Sequence, residues 1–237
     1  MNDYLEFLAL FGVGGAHPGG FPLTKKILQE EGFSVNAKVL DIGCGTGQTA
    51  AHLISKYQCE VTAIDKHPIM INKAKKRFQT LGYTLQLSQE DAENLSFKNH
   101  QFDYVLSESV LSFTDCEKSL GEIKRVLTND GVLIAIEMTN EENLSTLEME
   151  EIKKFYGVKK ILAEEEWKQL FIDSGFTNVS IRKADSLLTN LEEEFNNTEF
   201  QLSQGIPQSY VKIFDQHEEL TNKYKHKLGF RIYRCII

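Results

Sequence analysis

Apolar positions change their period along this chain in a regular way. Val39–Ile42 is a short apolar run that enters a glycine-rich turn. Gln48–Tyr57 then takes up helical spacing, with Leu53 and Ile54 apolar and Lys56 near its end. Glu60–Ile64 is β-branched and reads as a strand. Pro68–Leu81 reads as a helix, with Pro near its start and Gly82 just beyond its end. Thr84–Leu87 and Phe102–Leu106 predict two more strands. Glu117–Leu127 predicts a helix stopped at Asn129-Asp130-Gly131. Val132–Ile136 is apolar throughout, as a strand covered on both faces requires. Such alternation predicts an α/β fold: a doubly wound parallel sheet with helices on both faces.

The two ends are less regular. Phe7 to Ala16 is apolar and small, preceded by Asp3 and Glu6 and by no Lys or Arg. It is too short to span a bilayer and predicts an amphipathic N-terminal helix of a cytoplasmic protein, with no membrane partner. After the fifth strand, Asn140–Glu151 is acidic and reads as a loop running into a helix. Glu164–Asp173 predicts a helix ending at Gly175, and Val179–Arg182 a strand. Ser186–Ser203 and Ser209–Leu228 look like two helices, and Phe230–Ile236 alternates as a final strand. Two helices ahead of a last strand predict a helical cover over the sheet's carboxyl edge. With no repeat or linker, one domain is expected: an N-terminal lid at 1–35, a core at 36–138, and cover with final strands at 139–237.

Composition narrows the function. The 237 residues carry a formal net charge of −8, which repels a phosphate backbone and argues against nucleic acid as the main partner. The four cysteines form no Cys-x-x-Cys pair and the six histidines no ligand cluster, so no metal site is expected. Cys44, Cys59, Cys116 and Cys235 read as free buried thiols in a reducing compartment.

The loop Gly43-Cys44-Gly45-Thr46-Gly47 carries the chemistry. Glycines between a strand and a helix let a ligand approach the backbone at the positive end of that helix. The dinucleotide fingerprint Gly-x-Gly-x-x-Gly/Ala would require a small residue where Gln48 stands. Asp41 beside the loop would repel a pyrophosphate but suits an ammonium. The methionine part of S-adenosylmethionine (SAM) has that ammonium, and a carboxylate for the helix N-terminus. The charges favour SAM over NAD, and a turn-capping role for Asp41 is compatible with this. Asp65, at the tip of the next strand, is placed to accept from ribose hydroxyls. Asp91, after the third strand, lies over the same edge and suits an adenine amino group.

The chain resembles the class I SAM-dependent methyltransferases, particularly the small-molecule group that includes the ubiquinone and menaquinone biosynthesis enzymes (methyltransferase type 11). The matching stretches are VLDIGCGTGQTA at 39–50, VTAIDKHPIM at 61–70, QEDAENLSF at 89–97, FDYVLSES at 102–109 and RVLTNDGVLIAIEM at 125–138. The resemblance implies a Rossmann-like sheet of seven strands, the last antiparallel. It implies that the loop, with Asp41, Gly43, Cys44, Gly45, Gly47 and Gln48, holds the methionine part. Asp65 would hold the ribose and Asp91 the adenine. Ala92 would offer its N–H to the ring, with Lys66 and Met70 flanking it. Ser107 and Glu108 would contact the methionine amine and the substrate. The product would be S-adenosylhomocysteine (SAH).

Methyl transfer needs alignment more than acid–base machinery, so no obligate catalytic residue is legible. His17, in His17-Pro18-Gly19-Gly20, reads either as a base or substrate ligand in a lid, or as a turn residue. Glu108 and Glu137 end strands four and five and either hold an amine substrate or cap helices. Among the aromatics of the cover, Tyr156 and Tyr210 suit a pocket, whereas Phe155, Trp167, Phe214 and Tyr224 read as core. The basic run Lys223–Lys227 reads as a helix end favoured by the dipole rather than as an RNA contact. The expected function is transfer of a methyl group from SAM to a small molecule. The alternatives are an RNA or protein methyltransferase on the same fold, a non-catalytic SAM-binding protein, and an NAD enzyme.

Overall fold

The computed structural model describes residues 2–142, 144–183 and 199–237. Helices α1 (Asp3–Phe11) and α2 (Gly20–Glu30) precede β1 (Lys38–Ile42), α3 (Gln48–Tyr57), β2 (Glu60–Asp65), α4 (Pro68–Leu81) and β3 (Gln86–Gln89). There follow β4 (Phe102–Glu108), a 3-10 turn at Leu111–Phe113, α5 (Cys116–Val126) and β5 (Leu127–Asn140). The remainder is α6 (Thr146–Tyr156), α7 (Glu164–Asp173), β6 (Asn178–Lys183), a short turn at Gln208–Tyr210, α8 (Val211–Tyr224) and β7 (Leu228–Ile236).

The strands form one seven-stranded sheet in the order β3-β2-β1-β4-β5-β7-β6. β7 runs antiparallel to both β5 and β6, while the β1 pairings are parallel. This is the Rossmann-like arrangement expected, with the last strand reversed. One face buries Leu120, Ile123, Trp167 and Phe171 from α5 and α7. The other buries Leu23, Ile27, Leu53 and Phe78 from α2, α3 and α4. A third cluster, with Tyr4, Phe7, Ile152, Tyr156, Leu220 and Tyr224, joins α1, α6 and α8 into a cover. The strand order turns between β1 and β4, which is where open sheets of this kind leave a crevice for ligands.

Where a sequence element carried its own start and stop signals, its bounds hold. α3, α4 and α7 match to the residue, and α4 has Pro at its first turn and Gly82 in the left-handed region at its end. Other bounds shift. The N-terminal helix is Asp3–Phe11 rather than Phe7–Ala16, because the Asn2 side chain caps it and Gly12 stops it at φ +61°. β3 lies two residues later than expected. α5 passes directly into β5 at Leu127, which pairs with Phe102, so Asn129-Asp130-Gly131 is a bulge within the strand and not a helix stop. The expected helix Ser186–Ser203 lies mostly outside the described residues. Its tail is extended, with Phe200 bridged to Val13 and Ser203 N–H donating to Leu10 O at 2.8 Å. The second expected helix ends at Tyr224, four residues before Leu228, where β7 begins.

Glu137 on β5 fixes the loop that follows β4. Its Oε1 accepts from the N–H groups of Val110 (3.1 Å) and Leu111 (2.8 Å). Its Oε2 accepts from the Ser112 N–H (3.1 Å) and hydroxyl (2.6 Å). Burial pushes its pKa up to about 7 although these donors pull it down. Of its two expected roles, the capping one describes this geometry. Glu137→Gln turns an amide NH2 toward donors and should destabilise the protein by about 1–3 kcal/mol, measured by urea unfolding. An unchanged midpoint would refute the role.

Candidate functional site

The carboxyl ends of β1, β2, β4 and β5 open into a cavity of about 1000 Å³, roofed by α1, α6 and α8. Of the residues singled out for the cofactor, all except Asp41, Gly47 and Ser107 stand in its wall. His17, Glu137 and Tyr156 stand there too, whereas Tyr210 and Trp167 do not. Trp167 is fully buried and donates its indole N–H to Met138 O at 2.9 Å, the core role expected of it.

The glycine loop is shaped for close approach. Gly45 sits at φ +52°, and a Cβ added there would meet nothing within 4 Å, so its missing side chain leaves room on the cavity side. Gly47 serves packing instead: a Cβ there would come within 2.6 Å of the Phe78 ring on α4. Cys44 is buried, and burial, with Asp41 and Asp65 adding to it, pushes its thiol well up and disfavours the thiolate.

Three carboxylates gather around the loop. Asp41 is 2% exposed, and its Oδ2 has no hydrogen-bond partner. Burial, together with the charges of Glu108 and Asp65, holds its pKa well above the usual range. Asp65 accepts from the N–H groups of Gly45 (2.9 Å) and His67 (2.7 Å), and burial raises it despite them. Glu108 accepts from the Thr24 hydroxyl at 2.5 Å and the Thr49 hydroxyl at 2.7 Å. Ser107, beside it, is fully buried with its hydroxyl unpartnered.

Asp91 behaves differently. Burial raises it, but the Lys66 ammonium at 2.6 Å and the Glu93 N–H outweigh that and keep it low. Asp91 and Ala92 both stand at the cavity wall.

The cover is tied to this floor at several points. His17 places Nε2 3.0 Å from Thr24 Oγ1 and 3.6 Å from Glu108, and Nδ1 3.1 Å from Pro18 O. Glu6 of α1 meets His67, the N-cap of α4, at 3.0 Å. Residues 199–203 pair with 10–14, and Glu199 reaches Arg77 (2.7 Å) and Gln48 (3.1 Å). Arg77 in turn donates to Thr46 O in the glycine loop at 2.7 Å. Two lysines of the basic run pair with α6, Lys223 with Glu151 and Lys227 with Glu148.

Several of these residues were not legible as functional. Thr24 and Thr49 matter only because two helices bring them to one carboxylate. His67, Arg77 and Glu199 carry no local signature. Among the described residues, no helix is long and apolar enough to cross a membrane, and no cluster of metal-ligating side chains occurs.

Comparison with known proteins agrees with this geometry. A family described as "Methyltransferase domain" matches residues 33–175. The chain is 42% identical over 233 residues to the uncharacterized methyltransferase YodH of Bacillus subtilis (strain 168), covering 98% of each. It is 27% identical to a Staphylococcus saprophyticus demethylmenaquinone methyltransferase over 67% of this chain and 78% of that one. Its fold is that of a Haemonchus contortus phosphoethanolamine N-methyltransferase 2 solved with phosphomonomethylethanolamine and SAH. The TM-score is 0.76 at 18% identity, over 99% of this chain and 57% of that longer one. The glycine loop with its neighbouring acids, the sheet order and these relatives together make the chain a member of the class I SAM-dependent methyltransferases.

Proposed function

We propose that this protein transfers the methyl group of SAM to a small-molecule acceptor, with SAM lying across the glycine loop and the tips of β2 and β3. The observation that carries the reading is Asp41, a buried carboxylate with an unpartnered oxygen and two further acids close enough to disfavour its charge. A ligand with two positive centres, an ammonium and a sulfonium, relieves that repulsion. An anionic dinucleotide adds to it.

The residues fit such a ligand part by part. Gly45 admits the methionine portion at the N-terminus of α3, whose backbone N–H groups suit its carboxylate, while Gly43 packs against the Val110 side chain. Glu108 faces the ammonium from the wall, while Asp41 and Ser107 act from behind the loop. Asp65 keeps lone pairs for the ribose hydroxyls beyond the N–H groups it holds. Asp91 takes the adenine amino group, with Ala92, Lys66 and Met70 around the ring. When bound, SAM supplies a methyl group activated by a sulfonium. The protein's part is to orient the acceptor toward it and to exclude water. A cavity closed by α1, α6 and α8 is sized for a metabolite. It supports a small-molecule acceptor over a nucleic acid or protein one.

Two variants test this. Asp41 has a raised folded pKa, so its contribution to stability is fully present below the unfolded value of 3.8 and is lost as pH rises through the folded pKa. Asp41→Asn should therefore unfold at a higher temperature than wild type at pH 7 without ligand, by differential scanning calorimetry. It should also bind SAM roughly 10-fold more weakly by titration calorimetry, about 1.4 kcal/mol. Gly45→Ala should keep its fold, with about 1–2 kcal/mol of backbone strain, and lose SAM binding by more than that factor. Wild-type protein that fails to bind SAM would sink the proposal.

A further inference from the structure

The cavity is divided chemically. Its floor carries Asp65, Asp91 and Glu108, whereas the half built by α1, α8, the end of α6 and the start of β7 contributes no carboxylate among the described residues. That half is walled by Tyr4, Phe7, Val158, Phe214 and Phe230. Glu137 lies beneath it with both oxygens already taken. The polar groups that remain are Tyr156, His217 and Thr221, with Lys225 exposed at the rim.

His217 is the only one of these that can take a proton near neutral pH. Its Nδ1 lies 3.1 Å from the Tyr156 hydroxyl, and Tyr4 packs against both rings at 5.5 and 4.9 Å. Its Nε2 has no partner among the described residues, and the residue lines the cavity. Burial lowers its pKa, with Glu218 opposing only in part, so the ring is neutral at pH 7. The titratable groups facing it are Tyr4 of α1 and Tyr156 of α6, both raised by burial and hence uncharged, and Glu218 of its own helix.

An amine substrate reaches the site as an ammonium and calls for a carboxylate. A hydroxyl reaches it neutral and calls for a neutral base. The cover meets the second requirement and not the first. Resting on the methyltransferase reading above, we propose that the acceptor is an aromatic or apolar compound presenting a phenol or enol hydroxyl, with His217 as its catalytic base and Tyr156 as a positioning residue. Nε2 takes the hydroxyl proton as the acceptor oxygen bonds to the methyl carbon. The carbon–sulfur bond breaks and its electron pair returns to sulfur, leaving a methyl ether, a neutral thioether and an imidazolium that releases its proton to water.

Matched probes test this: 2-naphthol and 2-naphthylmethylamine, which share an apolar body and differ in hydroxyl against ammonium. Calorimetry with the SAH complex should show 2-naphthol binding about 10-fold or more tightly than the amine, and turnover with SAM should methylate its oxygen. His217→Gln should bind SAH as wild type does and lose roughly 100-fold in kcat, with the acidic limb of the pH–rate profile abolished. Tyr156→Phe should lower kcat with little change in KM and move that limb. The proposal is overturned if the amine binds as well or is the probe methylated, if wild type binds SAH but neither probe, or if His217→Gln keeps its rate and pH profile. Absence of SAH binding by wild type would instead count against the cofactor assignment.

Discussion

Asp41, Asp65 and Glu108 end or approach the ends of adjacent strands, and no Lys or Arg among the described residues pairs with any of them. Burial, together with the nearby charges of Glu108 and Asp65, disfavours ionisation of Asp41, the most buried of the three. A fold stores such an arrangement only where it has a use, since replacing the acids by neutral residues would relieve the repulsion. The glycine loop is its counterpart. It brings the positive end of α3 beside the acids, so the site offers both signs within one ligand's length. An amino acid headgroup with a further cationic centre matches that pattern, and a nucleotide phosphate does not.

The cover is joined to this charged floor through polar side chains, not only by apolar packing. Glu199 bridges the strap at 10–14 and 199–203 to Arg77, and Arg77 holds the Thr46 carbonyl of the glycine loop. His17 and Thr24 reach Glu108 from the other side. Any movement of the cover therefore changes partners on the glycine loop. On the proposed reading, opening of the roof and loosening of the hold on the cofactor are coupled by these shared hydrogen bonds, which are stronger inside the protein than in water.

How far the sequence could be read follows from how local each signal is. α3 starts just after Gly47, α4 runs from Pro68 to just before Gly82 and α7 stops short of Gly175, and the acids Asp41, Asp65 and Asp91 sit at fixed offsets from strands, so both were legible. β5 was misread at Asn129-Asp130-Gly131 because a turn signature and a strand bulge use the same residues. The pairing of Leu127 with Phe102 decides between them. His217 was invisible for a different reason. Its meaning depends on Tyr156, 61 residues away, and on Tyr4 at the other end of the chain. Glu137 illustrates the middle case: its place just after the apolar run Val132–Ile136 was readable, but β5 continues past it to Asn140, and which donors it would meet was set by the loop's path.

The unequal halves of the cavity also bear on turnover. On the proposed reading, the floor's carboxylates attract a cofactor with two positive centres and a product with one. Methyl transfer removes the sulfonium charge next to them. Opposite charges a few ångströms apart near a protein surface attract by a few kcal/mol at an effective dielectric of about 20. Losing one of them weakens the hold on the product relative to the cofactor. The same acids that make the empty site unstable at neutral pH would thus favour exchange of spent product for fresh SAM. A floor of neutral hydrogen-bonding residues would hold both nearly equally, so the strain at Asp41 has a functional return in release as well as in binding.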